Sequence, residues 1–325
     1  MTNPAMVADF LPPSAVEIHD LEAIALLQHI QRRVVRVDWK VDWKVDWKVG
    51  QSPMSPHGLE VNTAYVHYLS QTDSSQAAPI LLLHGFDSSL LEFRRLLPLL
   101  AKHHQVWAID LLGSGFTEYI HSCAINPQTI RYHLLSVIKT WIHQPIILVG
   151  ASLGGAVAID LALHYPDWVR SLVLMDSVGF SGSFPVGQFL PPPVIEFGAD
   201  WLYFRKHAAL AVASSFPFLN PTLVEALRCS LLHQEMPGWK AAITAFTQSG
   251  GYTNLGDRIA EITPPTLIVW GAADDVLGTT DAVRFEQRIA GSHLVWIEQA
   301  GHAPHLDQPQ AVAAHLLAFA QKNRP

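Results

Sequence analysis

The chain has 325 residues, of which 49% are hydrophobic and only 15% charged, and its formal net charge at pH 7 is −7. This length supports a large buried core, and the ordinary Gly and Pro usage argues against a disordered chain. The negative charge leaves no basic surface for nucleic acid and disfavours attraction to anionic membranes. Two cysteines, Cys123 and Cys229, are too few for a disulfide framework.

The N-terminal segment has no basic start followed by an apolar run, so no signal peptide is expected. No apolar stretch is long enough to cross a membrane without polar interruption. We therefore expect a cytoplasmic protein with no integral membrane segment and no nucleic-acid partner.

Residues 14–32 carry a helical pattern. Ser14 and Glu17 have the spacing of a capping box. The apolar residues that follow recur at helical intervals: Ile18, Leu21, Ile24, Leu27 and Ile30. The pattern predicts one helix over 14–32.

A tandem repeat follows, in which Val-Asp-Trp-Lys occurs three times from Val37 to Lys48. Odd positions are apolar through Val49 and even positions alternate Asp and Lys, which predicts a strand with one apolar face. The repeat is either an interaction surface or a duplication that lengthened an edge strand, and we favour the duplication. Residues 60–70 predict a second strand that pairs with it.

Strands and helices then alternate along the chain. The predicted strands are 79–84, 105–110, 145–149, 169–175, 266–270 and 294–297, and the predicted helices are 90–102, 127–143, 153–165, 281–289 and 309–321. Continuous apolar strands between helices predict an α/β fold whose mostly parallel sheet has helices on both faces.

Residues 179–262 interrupt this alternation with a Pro191–Pro193 run and several aromatic-rich helical stretches. They predict an inserted helical cap. The expected organisation is an N-terminal helix and repeat-containing edge strand over 1–58, an α/β core formed by 59–178 and 263–325, and the cap over 179–262.

The strongest chemical signal is Gly150-Ala151-Ser152-Leu153-Gly154, which lies directly after one predicted strand and before a predicted helix. A sharp strand–turn–helix connection with small residues around a serine is the context of a nucleophile elbow. The helix behind the serine supplies backbone N–H groups and a positive dipole end. Ser152 is therefore the candidate nucleophile.

Five motifs in order resemble the serine-nucleophile α/β-hydrolases of the esterase and lipase type, from about residue 60 to the end. They are His84-Gly85-Phe86, Asp110-Leu-Leu-Gly-Ser-Gly115, the elbow, Trp270-Gly-Ala-Ala-Asp274 and Gly301-His-Ala-Pro-His305. The resemblance implies the α/β-hydrolase fold and a Ser–Asp–His triad. The serine at the elbow disfavours the dehalogenase and epoxide hydrolase branches, which use an aspartate nucleophile.

A serine hydroxyl needs a base to remove its proton, and the base needs a carboxylate to fix its tautomer. His302 follows the last strand, at the same sheet edge as the elbow, and we prefer it to His305 as the base. Asp274 follows the strand before it and completes the order Ser, Asp, His. Asp275 and Asp176 are the alternative acids; Asp176 is interpreted as a loop hydrogen-bonding residue.

Acyl transfer also needs an oxyanion hole. The backbone N–H groups of Leu153 and Phe86 are the predicted donors. His84 is expected to hold the Phe86 loop, and Asp110 receives no catalytic role.

The predicted function is hydrolysis of a neutral, hydrophobic carboxylic ester through an acyl-enzyme, with Trp239 and Phe246 of the cap as candidate substrate-binding residues. No cofactor or metal is expected, and the partner is a small-molecule ester or acyl substrate. The same triad also serves C–C bond hydrolases, cofactor-free haloperoxidase-like enzymes and acyltransferases, and a low-turnover receptor on this scaffold is a further alternative. The oligomeric state is left open.

Overall fold

The structure, a computed structural model, describes residues 8–38, 58–70, 77–183, 185–216 and 221–324. Its centre is one eight-stranded sheet in the order β1-β2-β4-β3-β5-β6-β7-β8. The strands are β1 Gln31–Val37, β2 Leu59–Tyr68, β3 Ile80–Leu83, β4 Val106–Ile109, β5 Ile146–Ala151, β6 Val169–Met175, β7 Thr266–Gly271 and β8 His293–Ile297. β2 runs antiparallel to β1 and β4, and the remaining neighbours are parallel, so the predicted sheet is confirmed.

Ten α-helices lie within the described ranges. They are α1 Leu21–Leu27, α2 Leu97–Leu100, α3 Pro127–Val137, α4 Leu153–His164, α5 Pro192–Ser215, α6 Pro221–Leu231, α7 Trp239–Gln248, α8 Thr280–Arg288, α9 Pro304–Asp307 and α10 Pro309–Lys322. Among the described residues, none of these helices is both long and apolar enough to pass through a bilayer.

The sheet is buried on both faces because successive side chains of each central strand enter opposite layers. In β3, Leu81 and Leu83 join a core layer with α3, α4 and α8, while Ile80 and Leu82 join the layer with α1, α2 and α10. All four are 0% exposed. A period of two in side-chain direction explains why these strands are apolar at every position.

The N-terminal helix prediction over 14–32 is wrong in extent. Pro13–Glu17 forms a 3-10 turn, α1 begins only at Leu21, and Gln31 already starts β1. The helix is capped by Asp20, whose side chain accepts a hydrogen bond from the Ala23 N–H at 2.9 Å, and not by Ser14. Ile18, Leu27 and Ile30 are buried in the same core layer although they lie before, in and after α1, whereas Leu21 is 78% exposed.

Most of the tandem repeat, residues 39–48, lies outside the described residues. Its first residue, Val37, ends β1, which is an edge strand of the sheet and pairs antiparallel with β2. The partner of β2 is therefore mainly the stretch that precedes the repeat, of which only Gln31 and Arg32 were predicted as helix.

Two further predicted helices change character along their length. Residues 90–102 divide into a 3-10 turn, Leu90–Phe93, and the short α2, while 127–143 ends in a π-helical turn, Ile138–Ile142. Pro98 at the start of α2 removes a backbone donor there, which prevents one continuous helix.

The connection between β6 and β7 contains α5, α6 and α7. A buried carboxylate, Asp87, joins this segment to the loop after β3. The carboxylate accepts hydrogen bonds from His233 Nε2 at 3.1 Å, Gln234 Nε2 at 2.8 Å and Trp239 Nε1 at 2.8 Å, and Lys206 Nζ of α5 lies 2.5 Å from it. Burial alone would raise the pKa of Asp87, but the contacts with His233 and Lys206 outweigh it and lower the pKa to about 2.

The elbow and the end of β3 are in close contact. A Cβ on Gly154 would lie 2.1 Å from the Leu83 carbonyl oxygen, and one on Gly150 would lie 2.2 Å from the Gly154 carbonyl oxygen. Both obstacles are backbone atoms, so no side-chain rearrangement relieves them. Glycine at these two positions is what allows α4 to start directly against the sheet.

We expect Gly154→Ala to lower the free energy of unfolding by ~3 kcal/mol or more, because the new methyl group meets backbone. Gly198→Ala is the matched control, since a Cβ there, inside α5, meets no atom within 4 Å. It should raise the free energy of unfolding by about 0.5–1 kcal/mol, the usual gain of alanine in a helix. Urea denaturation of both variants checks this, and equal effects would contradict the packing account.

Asp87→Ala should cost ~3–5 kcal/mol of unfolding free energy, because it leaves buried donors and a cation without their carboxylate. The exposed Asp275→Ala should change it by less than about 0.5 kcal/mol. Since the pKa of Asp87 falls from 3.8 to about 2 on folding, its contribution is present above pH 3.8 and lost as the pH falls toward 2. Denaturation at pH 7 and pH 2.5 should therefore show the wild-type advantage shrinking in acid; a constant difference would refute this.

Candidate active site

The elbow serine has an unusual backbone conformation. Ser152 joins the end of β5 to the first residue of α4 with φ 51° and ψ −115°. Its N–H donates to the Met175 carbonyl at 2.9 Å, and its own carbonyl accepts from the Gly155 and Val178 N–H groups, each at 3.0 Å. These bonds hold a conformation that a residue with a side chain rarely adopts, and they expose the hydroxyl at the carboxyl edge of the sheet.

His302 lies beside that hydroxyl. It follows β8, and its Nε2 is 3.0 Å from Ser152 Oγ, while its Nδ1 is 3.0 Å from Asp274 Oδ2. An ionised carboxylate only accepts, so Nδ1 carries the proton and donates to Asp274. Nε2 is then left to accept the proton of the serine hydroxyl. The three side chains predicted from separate motifs thus form one continuous chain of hydrogen bonds.

Asp274 lies three residues beyond β7 and is 6% exposed. Its other oxygen accepts from the N–H groups of Val276 at 2.8 Å and Leu277 at 3.1 Å. Burial would raise the pKa of Asp274, but the hydrogen bonds from His302 and these two amides hold it below its ordinary value. Asp274 therefore stays ionised beside the histidine at neutral pH.

Asp176, the alternative acid, sits at the end of β6 and lies close to the same group. Carboxylate oxygens of Asp176 and Asp274 and a ring nitrogen of His302 all lie within 4.8 Å of one another. Asp176 is 0% exposed, and this burial, together with the neighbouring Asp274, raises its pKa to about 9 despite the hydrogen bond it accepts from the Gly271 N–H at 3.0 Å. Asp176 is therefore the neutral member of the pair. The three side chains also have the spacing of a metal site, but both ring nitrogens of His302 are engaged, Nδ1 by Asp274 and Nε2 by Ser152.

The loop after β3 runs beside the serine. A Cβ on Gly85 would lie 3.3 Å from Ser152 Cβ, so Phe86 follows directly on the point of closest approach. Leu153 is the first residue of α4, where N–H groups have no acceptor within the helix. The oxyanion-hole role of these two amides stays a prediction.

His84 and Asp110 stabilise this loop through hydrogen bonds to backbone groups. His84 Nε2 accepts from the Leu111 N–H at 3.1 Å, and its Nδ1 donates to the Gly85 carbonyl at 2.8 Å. Asp110 accepts from the N–H groups of Leu90 at 2.6 Å and Phe116 at 2.7 Å, and burial raises its pKa to about 7. Both side chains form hydrogen bonds with backbone groups. This is the role expected of His84, and it leaves Asp110 without a catalytic role.

Glu92 is a site residue that sequence reasoning missed. Its largely buried carboxylate accepts from the Gly85 N–H at 3.2 Å and from Ser88 Oγ at 2.5 Å, and it lies 3.5 Å from His305 Nε2. Burial would raise the pKa of Glu92, but the contact with His305 outweighs it and lowers the pKa. The carboxylate joins the Gly85 loop to the histidine loop. His305, the alternative base, therefore faces Glu92.

A cavity of about 180 Å³ contains Ser152 and His302. Part of its wall comes from α6, where Ala226, Cys229 and Ser230 share one helical face. Phe246 is not among its lining residues and instead packs against Phe86, with ring centroids 6.2 Å apart. Trp239 binds Asp87 and lines a different cavity of about 610 Å³ beside α7. Substrate binding by these two aromatics stays a prediction, and the small residues of α6 were not anticipated.

Several known proteins are similar to this chain in sequence. A relative from Arabidopsis thaliana, "Alpha/beta hydrolase domain-containing protein VTE7", is 34% identical over 75% of this chain and 74% of its own length. The pimeloyl-[acyl-carrier protein] methyl ester esterase of Vibrio vulnificus is 25% identical over 79% of this chain and 98% of its own. The 2-hydroxymuconate semialdehyde hydrolase of a Pseudomonas species is 26% identical over 74% and 86%.

A solved structure gives the same result for the fold. The thermophilic esterase from Thermogutta terrifontis superposes with a TM-score of 0.68 at 20% identity, covering 91% of this chain and all of that one. A model of the alpha/beta hydrolase family matches residues 80–315, well over half of the sequence. With that match and a relative at 34% identity, the chain belongs to the alpha/beta hydrolase family.

Proposed function

We propose that the protein is a serine hydrolase that cleaves a carboxylic ester through an acyl-enzyme. The observation that carries this proposal is the hydrogen-bonded chain from Asp274 through His302 to Ser152, with both links at 3.0 Å. A serine hydroxyl is a weak nucleophile until a positioned base removes its proton, and this chain supplies that base in the required tautomer.

In the first half of the reaction, Ser152 Oγ attacks the ester carbonyl carbon while its proton passes to His302 Nε2. The imidazolium gives this proton to the departing alcohol oxygen as the carbon–oxygen bond breaks. Water then attacks the acyl carbon, its proton passes to Nε2, and Ser152 recovers a proton as the acid leaves. Asp274 stays ionised and stabilises the imidazolium in both halves.

The negative charge that develops on the carbonyl oxygen needs donors. We assign the backbone N–H groups of Phe86 and Leu153, on the two segments that flank Ser152. Such donors matter most when they are held in place before the reaction. Glu92 accepts a hydrogen bond from the Gly85 N–H, and Asp87, the residue after Phe86, accepts one from Trp239 Nε1, so this loop is fixed on both sides of the proposed donor.

The substrate we propose is a neutral ester. The charged residues that line the cavity are already paired within the protein: Glu92 faces His305 at 3.5 Å, and Arg94 Nε donates to Asp20 at 3.1 Å. A charged substrate would therefore have to compete for these partners. Residues of α6 form part of the wall of the cavity at Ser152, which supports a cap role for the segment 179–262.

Ser152→Ala should lower kcat for p-nitrophenyl esters by about 10⁶-fold, because no other group can form the acyl-enzyme. A panel of acyl chains from acetate to octanoate measures this and reports the length that the cavity accepts. Ser230→Ala is the matched control, since its hydroxyl lies in the same cavity but donates to the Leu227 carbonyl. It should keep kcat close to that of wild type.

Turnover that survives in Ser152→Ala would overturn the assignment. If the wild-type enzyme is folded but hydrolyses no ester of the panel, C–C bond hydrolysis becomes the better proposal, in line with the similarity to the Pseudomonas hydrolase. Transfer of the acyl group to an added alcohol in place of water would indicate an acyltransferase.

Substitution of the two carboxylates identifies the acid. Asp274→Asn should lower kcat by about 10⁴-fold, because the amide favours the wrong histidine tautomer. Asp176→Asn should retain activity, because an amide resembles the neutral acid present at that position. The reverse pattern would make Asp176 the acid.

Asp176→Asn should also change how the free energy of unfolding depends on pH. The pKa of Asp176 is about 9 in the folded state and 3.8 in the unfolded state. Between these two pH values unfolding releases a proton, so Asp176 lowers the free energy of unfolding as the pH rises. The free energy of unfolding of the variant relative to wild type should therefore increase from pH 5 to pH 8.5. A flat difference would show that Asp176 is ionised in the fold.

A further inference from the structure

Helix α5 exposes a continuous apolar face. The helix has 24 residues, but only Ile195 and Ala199 are buried. Large apolar side chains on the opposite face are 50–69% exposed. They recur every three or four residues at Val194, Phe197, Trp201 and Phe204, and Val212 and, directly after the helix, Phe216 follow. We call these six residues the α5 stripe. Such spacing normally marks the face that a helix buries.

The α5 stripe is comparable in area to the largest apolar patch of a typical monomer. Its aromatic residues alone present roughly 500 Å² if each ring offers about 150–250 Å² when fully exposed. The largest apolar patch on a typical monomer is about 300–600 Å² and is often functional. Further exposed apolar residues, Val186 and Phe189, come shortly before the helix. A surface of this kind indicates a docking face.

The charges on α5 are divided between its faces. At 100° per residue, Arg205 falls within the α5 stripe, and it is exposed. The two acids of the helix lie outside it: Asp200 pairs with Lys240 of α7 at 2.7 Å, and Glu196 lines the cavity beside α7. The docking face is therefore aromatic with one positive charge near its centre.

This charge distribution separates two possible occupants. If two copies paired through α5 about a two-fold axis near its centre, each Arg205 would face the other in an apolar interface with no acid from either stripe. At a bilayer surface, the aromatic rings enter the interfacial region, and the arginine extends to the lipid phosphates. The charge distribution of the α5 stripe therefore favours a lipid surface and disfavours pairing with a second copy of the chain.

We propose that the α5 stripe docks on the surface of a phospholipid bilayer and that the ester hydrolysed at Ser152 is taken from that bilayer; the second part rests on the proposed function. The opposite face of α5 contacts the loop after β3, since Lys206 Nζ donates to the Asp87 carbonyl at 3.1 Å and pairs with its carboxylate. Asp87 is two residues from Gly85, which contacts the nucleophile. One helix thus presents one face to lipid and the other to the catalytic loop.

The test is flotation with phosphatidylcholine vesicles. Wild type should float with the vesicles, and the triple variant Phe197→Ser, Trp201→Ser, Phe204→Ser should bind at least tenfold more weakly. The matched control changes Val16, Leu21 and Leu69 to serine, which are 74%, 78% and 71% exposed and lie off α5. It should bind like wild type. Arg205→Glu, which leaves every apolar side chain in place, should weaken binding severalfold.

Wild type that stays with the soluble fraction, or a triple variant that floats like the control, would overturn the proposal. A wild-type dimer in sedimentation equilibrium that the triple variant dissociates, without vesicle binding, would identify a second copy as the occupant instead.

Activity separates this inference from the proposed function. The triple variant should hydrolyse soluble p-nitrophenyl acetate like wild type but lose most hydrolysis of a long-chain p-nitrophenyl ester dispersed in vesicles. Equal loss on both substrates would overturn delivery from the bilayer. If wild type hydrolyses neither ester but floats, the ester hydrolase assignment fails and the docking face stands.

Discussion

The turn at Ser152 is the constraint on which the rest of the site depends. A side chain at φ 51° and ψ −115° costs of order 1–3 kcal/mol, and the chain sustains it through three backbone hydrogen bonds and the close contact of Gly154 with the Leu83 carbonyl. This contact brings α4 against the end of β3, and the loop after β3 consequently passes beside the nucleophile. The strained turn thus positions both the serine and the proposed donors for the developing oxyanion.

Around this turn, the protein distributes charge by burial and pairing. Asp274 and Asp176 lie near the same histidine, but only Asp274 receives hydrogen bonds from the histidine and two amides, so it is ionised and Asp176 is neutral. Two adjacent buried carboxylates cannot both carry charge at low cost. One fixed negative charge beside His302 is what the proposed mechanism requires. Glu92 and Asp87 supply two further charges, and both anchor the loop that carries Phe86.

Local sequence predicted much of this arrangement and failed where the reasons are non-local. The apolar strands and the elbow carry their signals within a few residues, so the sheet was recognised, and Ser152, His302 and Asp274, chosen from three separate motifs, lie together. The helix assigned to 14–32 was wrong because Ile18, Leu27 and Ile30 are buried in one core layer although they lie before, in and after the short α1, which periodicity alone does not distinguish. Glu92 and Asp87 carry no motif, and their partners lie up to 213 residues away in the chain, as for Glu92 and His305 (92 to 305).

The inserted segment shows the same limit. Phe197, Trp201 and Phe204 of this segment point to solvent, and small residues of α6 form part of the wall of the cavity at Ser152. Composition indicates that a segment is apolar, but it does not indicate which face the fold buries. The exposed face of α5 could be recognised only once its neighbours α6 and α7 were known.

The most direct test of the account is covalent labelling of the proposed nucleophile. An organophosphorus fluoride, which phosphorylates an activated serine and releases fluoride, should add one phosphoryl group per chain at pH 7.5. Intact mass followed by peptide mapping should locate that group on Ser152, and His302→Ala should abolish the reaction. Labelling of a different serine, or none in an enzyme that hydrolyses esters, would contradict the claim that Ser152 and His302 form the reactive pair.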